Sequence, residues 1–194
     1  MGNELGRVWV AATLGVLLAA CTSVPTELHV DPAVGVPASD IGRGLVVAVN
    51  VVDRRSGETA GRWHNRKGRR TEVAIDGDVV AVIRQRVAAA LRSQGFVPTG
   101  AGLGADRSLT VEVQRLEYLA AQRVLASEVS VNVTVQGTVE IPDSSYRVRY
   151  DAQRRRQGVF DAGSAESLEL VNGALSDALQ QLLQDPQLLA TLTR

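Results

Sequence analysis

The stretch VSVNVTVQGTVEI, residues 129–141, alternates strictly between two kinds of side chain. Its odd positions hold valine, apart from Gly137 and the final Ile141, and its even positions hold polar residues. Because successive side chains of an extended chain point to opposite faces, this pattern predicts a strand with one buried face and one face in water. A sheet that contains such a strand is covered by other elements on one side only.

Further strands are predicted on both sides of this stretch. Residues 146–157 alternate in the same way, and the sequence PDSS at 142–145 supplies a turn between the two strands. Upstream, residues 109–114 alternate as well, whereas residues 44–53, GLVVAVNVVD, form a nearly continuous apolar run that is typical of a strand buried on both faces. Residues 71–75 are predicted to form a short return strand.

Two segments have the periodicity of amphipathic helices. Apolar residues recur at spacings of three and four over residues 76–94 and again over residues 165–183. The residue types at their ends suit helix termini. The candidate caps are Asp76 or Asp78 and Gly95 for the first helix, and Ser164 for the second.

The order of these elements predicts the fold class. One strand, or two, precedes the first helix, three strands follow it, and the second helix comes last. The sequence therefore predicts an α+β fold, a two-layer sandwich with a mainly antiparallel sheet of four to five strands and two amphipathic helices on one face. Because a helix follows the first strand, that strand can pair parallel to a later one.

Composition excludes several functions. The 194 residues include 21 basic and 21 acidic ones, so the chain lacks the positive field that attracts proteins to nucleic acid. One cysteine and two histidines are too few for a Cys/His metal site, and one cysteine cannot form an intramolecular disulfide. We therefore predict one folded domain with no nucleic-acid partner, no metal and no cofactor.

The single cysteine follows an uncharged run. Residues 8–20, VWVAATLGVLLAA, come after Arg7 and end in small side chains, and Cys21 follows directly. The run is shorter than the roughly 20 apolar residues that a membrane-spanning helix needs, and it fits the apolar region of a signal peptide. The alternative is a core cysteine in a buried N-terminal helix.

The four residues Leu18, Ala19, Ala20 and Cys21 resemble the bacterial lipobox. The resemblance implies that a signal peptidase recognises the first three, that the chain is cleaved before Cys21, and that its thiol carries lipid such as palmitate. Two or more acyl chains anchor a protein stably, whereas one does so only marginally. In such lipoproteins an aspartate after the cysteine commonly retains the protein in the inner membrane, so Thr22 implies the outer membrane.

These features predict three regions. Residues 1–20 are a lipoprotein signal peptide, residues 21–40 are the lipidated N-terminus and a tether, and residues 41–194 are a single periplasmic domain. Proline removes a backbone donor and favours extended geometry, so residues 22–40 are expected to be a tether or an extended segment along an edge. The prolines that indicate this are Pro25, Pro32 and Pro37.

A basic segment, residues 54–70, is the candidate binding region. Its charge, together with Trp63, suits contact with anionic lipid headgroups, lipopolysaccharide or an acidic partner, and the alternative is a solvated loop or loose hairpin. Arg154, Arg155 and Arg156 form a second cluster that must point to both faces of a strand, and binding is favoured if the two clusters adjoin. The cations of the basic segment are Arg54, Arg55, Arg62, Arg66, Lys67, Arg69 and Arg70.

Other candidate sites are weaker. Gly100, Gly102 and Gly104 are spaced like a dinucleotide-binding loop, but that motif needs a strand before it and a helix after it, and here the predicted order is reversed. His29 and His64 belong to no recognisable nucleophile motif. The sequence therefore predicts a loop at the glycines and no enzyme.

The overall layout resembles the YajG-type lipoprotein family of Gram-negative bacteria. The resemblance rests on the lipobox, the tether, the alternating strand pair and the C-terminal helix, and on three stretches: NVVDRR at 50–55, LRSQGF at 91–96 and LTVEVQRLEY at 109–118. It covers nearly the whole chain, except that the arginine-rich part of the basic segment departs from the family pattern. The resemblance implies an outer-membrane lipoprotein that faces the periplasm and has no known enzymatic activity.

Two functions are therefore expected. The first is a non-enzymatic structural or interaction module of the cell envelope, anchored by lipid. The alternative is an accessory subunit of an envelope transport complex, or of one that assembles lipopolysaccharide or the outer membrane. In that case the basic segment would contact anionic lipid or an envelope protein partner.

Overall fold

The computed structural model describes residues 26–57, 59–64, 70–100, 104–122, 127–158 and 164–194. These ranges contain eight strands and three helices. The strands are β1 (Thr26–His29), β2 (Val46–Asp53), β3 (Thr59–His64), β4 (Arg70–Asp76), β5 (Val97–Thr99), β6 (Ser108–Gln122), β7 (Ser127–Ile141) and β8 (Ser144–Gly158). The helices are α1 (Val79–Ser93), α2 (Ala165–Leu183) and α3 (Pro186–Leu192).

The alternating stretch that opened the sequence analysis forms β7, and its valine face is buried. Val129, Val131, Val133, Val135 and Val139 are each at most 1% exposed. Along both of its edges β7 pairs antiparallel, with β6 on one side and β8 on the other. The prediction of a strand with one buried face is confirmed.

The neighbour β6 is where the sheet divides. One edge of β6 pairs with β7, and the other edge pairs with two different strands placed end to end. The first half pairs parallel with β2, from Ala48 opposite Ser108 to Asp53 opposite Val113. The second half pairs parallel with β3, at Gly61 opposite Tyr118. Beyond β2 lies β5, and beyond β3 lie β4 and then β1.

The predicted two-layer sandwich with four to five mainly antiparallel strands is therefore wrong. The described strands form one curled, mixed sheet of eight strands, a half-barrel, with three helices. Four of its pairings are parallel, namely β1 with β4, β2 with β5, and β6 with both β2 and β3. The sheet is larger than predicted because β6 is 15 residues long, which lets one strand support two branches.

The two predicted helices lie within three residues of their predicted bounds, and α3 is an additional short helix. Asp78 caps α1 by accepting a hydrogen bond from the backbone N–H of Ala81 at 2.9 Å, and Gly95 beyond its end has a φ of +83°. Ser164 caps α2, accepting from the N–H of Ser167 at 3.3 Å. The apolar faces of all three helices and of the sheet meet in one core.

The described part of the expected tether is bound to the domain. Residues 26–29 form β1, which pairs parallel with β4. Residues 30–40 then run extended across the helices: Asn172 of α2 accepts from the N–H of Asp31 at 2.8 Å, and Ser93 at the end of α1 accepts from the N–H of Ser39 at 2.9 Å. Asp31 also binds Arg86 of α1.

Asp185 ties the last helix to the edge of the sheet. Its carboxylate accepts from the N–H of Leu188, in the first turn of α3, and from the hydroxyl of Tyr150 on β8, both at 2.6 Å. The hydrogen bond to Asp185 is the main reason why the pKa of Tyr150 rises to about 12. Tyr150 is therefore neutral, and donates to Asp185, over the physiological pH range.

Candidate functional site

The described residues form an open groove where the sheet divides, with a volume of about 1120 Å³. One wall is the loop after β2, residues 54–57, together with the start of β3. The floor and the other wall are residues 114–120 of β6, with Glu128 and Ser130 of β7 beyond them. The groove exists because the partner of β6 changes from β2 to β3 over these residues.

A bulge in β6 shapes the floor. The register between β6 and β7 shifts between Val113 and Arg115, so Gln114 has no direct partner on β7. After the bulge the parity of β6 is reversed: Leu116 and Tyr118 are buried, while Arg115 and Leu119 are exposed. A β-bulge redirects side chains in this way and is often found beside a functional site.

Gly61 allows β3 to approach β6 at the end of the groove. A Cβ atom at this position would overlap the carbonyl oxygen of Tyr118 and lie 2.8 Å from its carbonyl carbon. The Tyr118 side chain points into the core, where its hydroxyl and that of Ser167 are hydrogen-bonded at 2.9 Å. At this end of the groove the backbones of β3 and β6 are therefore in direct, rigid contact.

Arg55 is the most constrained cation of the groove. Its Nε and Nη2 bind the Asp53 carboxylate, at 2.9 and 2.6 Å, and its side chain is only 9% exposed. Burial raises the pKa of Asp53, but the hydrogen bonds and charge of Arg55 lower it more, so the pKa lies below its usual value. The pair is therefore ionised at neutral pH.

One part of the Arg55 guanidinium is not used by this pair. Nη1 is buried and has no hydrogen-bond partner among the described residues. Leaving a buried donor unpaired costs about 1–3 kcal/mol. An acceptor that reaches Nη1 from the groove would therefore be stabilised there.

The other charges around the groove are balanced. Arg54 lies 3.5 Å from Glu112, and Glu128 lies 3.1 Å from Arg155 of β8. Including Asp53 and Glu117, the described cations and carboxylates at the groove are nearly equal in number. A groove with this balance suits a polar or weakly charged ligand better than a polyanion.

The lining of the groove offers several kinds of contact to a ligand. The hydroxyls near the groove belong to Ser56 and Ser130, and the described lining contains neither histidine nor cysteine to serve as base or nucleophile. Leu119, which is 46% exposed, adds an apolar contact surface. Hydrogen-bond donors, acceptors and one exposed leucine can together hold a ligand.

The structure separates the predicted basic segment into distinct parts. Arg54 and Arg55 line the groove, and Arg62 and Arg70 lie on β3 and β4, which form a hairpin. The remaining cations, Arg66, Lys67 and Arg69, lie outside the described residues, as do the predicted lipobox and sorting residues Leu18, Ala19, Ala20, Cys21 and Thr22.

The second arginine cluster points to both faces of β8, as predicted. Arg154 binds Asp177 at 2.7 Å and Arg156 binds Glu169 at 3.0 Å, both on the helix-covered face. Arg155 points to the other face, where it binds Glu128 at the groove. Arg155 is thus linked to the groove through Glu128, and each arginine of the second cluster has a carboxylate partner.

The sequence analysis missed the groove residues contributed by β6 and β7. These are residues 114–120 of β6 and Glu128 and Ser130 of β7. One signal was present, because the alternation of residues 109–113 resumes with the opposite parity at Leu116. Such a break predicts a bulge, but it does not predict which loop lies opposite the bulge.

The described glycines do not have the surroundings of a dinucleotide-binding loop. Gly100 follows β5 and Gly104 precedes β6, so strands flank the described glycines instead of the strand and helix of a dinucleotide motif. In the described ranges, no three His, Cys, Asp or Glu side chains come together as metal ligands. Over the same ranges, no helix combines the length and apolar character needed to cross a bilayer.

Solved structures share this fold. Protein XCC0632 from Xanthomonas campestris has a TM-score of 0.55 at 12% identity, over 86% of this chain and 97% of that one. An uncharacterized protein has a TM-score of 0.52 at 12% identity, over 84% and 99%. A putative neuraminyllactose-binding hemagglutinin homolog from Helicobacter pylori has a TM-score of 0.49 at 8% identity, over 86% and 96%.

At these identities the two structures with TM-scores above 0.5 support the fold alone. No curated protein matches the sequence. The family model Lipoprotein_16, described as uncharacterized lipoprotein, matches residues 32–193, which is most of the chain. This protein therefore belongs to that family of uncharacterized lipoproteins.

Proposed function

We propose that this protein is a lipid-anchored, non-enzymatic interaction module on the periplasmic face of the outer membrane, of the YajG type. The observation that carries the proposal is the combination of a lipoprotein family match over residues 32–193 with Leu-Ala-Ala-Cys at 18–21. Thr22 supports the outer membrane, because it stands where an aspartate would favour retention in the inner membrane. The balanced, open groove is the candidate contact site for a partner.

The position of β1 gives the anchor a structural consequence. Cys21 precedes Thr26, the first residue of β1, by five residues, which span at most about 18 Å. If Cys21 carries the lipid, the β1 end of the sheet lies close to the membrane surface. The protein would then work at the membrane and not at the end of a long tether.

The anchor is tested by replacing Cys21 with serine. Because acyl transfer needs the thiol, Cys21→Ser is expected to accumulate as an uncleaved precursor that incorporates no labelled palmitate. Wild-type protein labelled in the same cells is the positive control. Normal cleavage of the serine variant, or lipid incorporation into it, would contradict the proposal.

The position of β4 favours a second role, contact with anionic lipid or an acidic envelope partner. β1 and β4 are parallel with Thr26 opposite Val73, and β4 begins at Arg70, so both strands start at the same end of the sheet. In sequence, Arg66, Lys67 and Arg69 immediately precede β4. Cations beside the anchor would strengthen attachment to a negatively charged surface.

This role predicts salt-dependent binding of the unlipidated domain to vesicles that contain anionic lipid. Replacing Arg66, Lys67 and Arg69 by glutamine is expected to weaken binding about tenfold or more, since each cation near the surface contributes up to about 1 kcal/mol. The matched control removes three exposed charges elsewhere, by replacing Arg84, Arg92 and Arg147 with glutamine. Binding that is absent, insensitive to salt, or equally weakened by the control would rule out this role.

A further inference from the structure

The outer edge of β8 is a long, regular strand edge. All 15 residues of β8 pair with β7 without a register shift, and no other described strand pairs with β8. In an antiparallel strand, backbone N–H and C=O groups of about half the residues point to each edge. The outer edge of β8 therefore presents a continuous row of backbone donors and acceptors.

The sequence of β8 lacks several of the features that usually protect an edge. It contains no proline, and its one glycine is the last residue, Gly158. A bulge or a short length would also protect an edge, and β8 has neither. Arg154 and Arg156 point to the helix-covered face and protect the end of the strand. Within residues 144–152, however, all the charged side chains point to the other, exposed face.

The side chains of β8 are suited to a strand lying alongside. Tyr146, Val148 and Tyr150 point to the helix-covered face and are only half-buried there. On the other face the strand carries Arg147, Arg149, Asp151, Gln153 and Arg155, all exposed. A neighbouring strand would cover the first row and would have to match the charges of the second.

We propose that two copies of this protein pair through β8, antiparallel about a two-fold axis at Tyr150, so that their two sheets become one. In this register Arg149 of each copy lies opposite Asp151 of the other. Arg147 then lies opposite Gln153, and Arg155 opposite Ser145. Every charged side chain of the exposed face therefore has an opposite charge or a neutral residue as its direct partner.

The charge pattern selects this register. Directly opposed residues of two antiparallel strands lie on the same face of the sheet. The two-fold axis must therefore pass through a residue and not between two residues. Axes at residues 147, 149 and 151 each place a like charge opposite itself, and axes at 148 and 152 pair Arg149 with Arg147 or Arg155. An axis at Gln153 avoids like charges but pairs fewer residues of the strand.

Asp151 and Arg149 are in place for this exchange. They lie 3.5 Å apart within one chain, and their side chains are 65% and 57% exposed. The hydroxyl of Thr134 donates to Asp151 at 2.5 Å and is the main cause of its lowered pKa, so the carboxylate is charged at neutral pH. An arginine from a second copy would reach an ionised and accessible partner.

Sedimentation equilibrium of the processed, full-length lipoprotein in a density-matched detergent tests the dimer. The wild type is expected to show a monomer–dimer equilibrium. In Arg149→Asp the new carboxylate of each copy lies opposite Asp151 of the other, so the dimer contains two pairs of like charges. These pairs should weaken dimerization about tenfold. Asp151→Arg should act similarly, and the double variant R149D/D151R should restore dimerization to within about threefold of the wild type.

Arg147→Asp is the matched control. It makes the same change on the same face, but its partner across the axis is Gln153, so the dimer should be retained. A wild type that stays monomeric over the micromolar range would overturn the proposal. Equal effects of R147D and R149D, or a dimer that resists both, would also overturn it.

Cross-linking gives a second readout that does not depend on charge. At the two-fold axis Tyr150→Cys faces its own copy and should form a disulfide-linked dimer in the oxidising periplasm. Gln153→Cys is the control, because its two copies would lie about six residues apart, roughly 20 Å. The wild type controls for Cys21, and disulfide formation by Gln153→Cys but not by Tyr150→Cys would overturn the register.

Discussion

Replacing Gly61 by alanine is expected to lower the free energy of unfolding by about 3 kcal/mol, the upper end of the usual cost of overpacking. The added methyl group would overlap the carbonyl oxygen of Tyr118, on the strand that β3 joins. A side chain could rotate away from such an overlap, but a paired backbone cannot. β3 would have to separate from β6, and the end of the groove would open.

The matched control is Gly57→Ala, in the loop that precedes β3 and also lining the groove. Among the described residues other than its chain neighbours, no heavy atom lies within 4 Å of a Cβ at that position, so the free energy of unfolding should change by at most about 0.5 kcal/mol. Urea denaturation of both variants gives the comparison, and thermal unfolding should show a decrease of roughly 6–12 °C for Gly61→Ala. Equal stability of the two variants would mean that β3 does not approach β6 at Gly61.

Local periodicity predicted the parts of the fold that depend on neighbouring residues. The alternation over 129–141 identified β7, and residues 165–183 coincide with α2. Both segments are long, and each repeats one pattern several times, so a single irregular residue such as Gly137 does not hide the period. Polar caps such as Ser164 then fixed where the helices begin.

The strands that make the sheet mixed could not be predicted in this way. β1 has four residues and β5 has three, which is too short for a period to be recognised. β3, with the sequence TAGRWH, contains a glycine and an arginine and reads as loop. These strands are stabilised by pairing with residues far along the chain, and that pairing leaves no local signal.

The candidate site was predictable only in part, for the same reason. Arg54 and Arg55 belong to a visible run of cations, and both line the groove. Arg55 is bound by Asp53, two residues before it in the same segment, whereas Glu112 lies 3.5 Å from Arg54 because β2 pairs parallel with β6. The sequence showed the charges, but the pairing of the strands determines that Arg54 has a carboxylate beside it.

The second prediction with a large effect concerns the contact between β7 and α2. Gly137 breaks the valine pattern of β7, and a Cβ there would lie 2.5 Å from Cδ1 of Leu182. Leu182 is fully buried, so its side chain occupies the space that the missing valine leaves. Leu182→Ala should therefore cost about 3 kcal/mol through the cavity it creates, and Gly137→Ala about 2 kcal/mol through overpacking.

Because each residue occupies the space that the other leaves, the two substitutions should not be additive. In the double variant the alanine at 137 no longer meets Leu182 and fills part of the cavity. Its loss of stability should be smaller than the sum of the single losses by about 1 kcal/mol or more. Chemical denaturation of the wild type, both single variants and the double variant measures this difference.

Leu175 provides the control for this cycle. It is also fully buried on α2, but it lies seven residues before Leu182, about 10 Å along the helix. Leu175→Ala should destabilise about as much as Leu182→Ala, yet its effect should add to that of Gly137→Ala within about 0.5 kcal/mol. Additivity at Leu182 as well would show that Gly137 does not accommodate this leucine, and the glycine in β7 would then need another explanation.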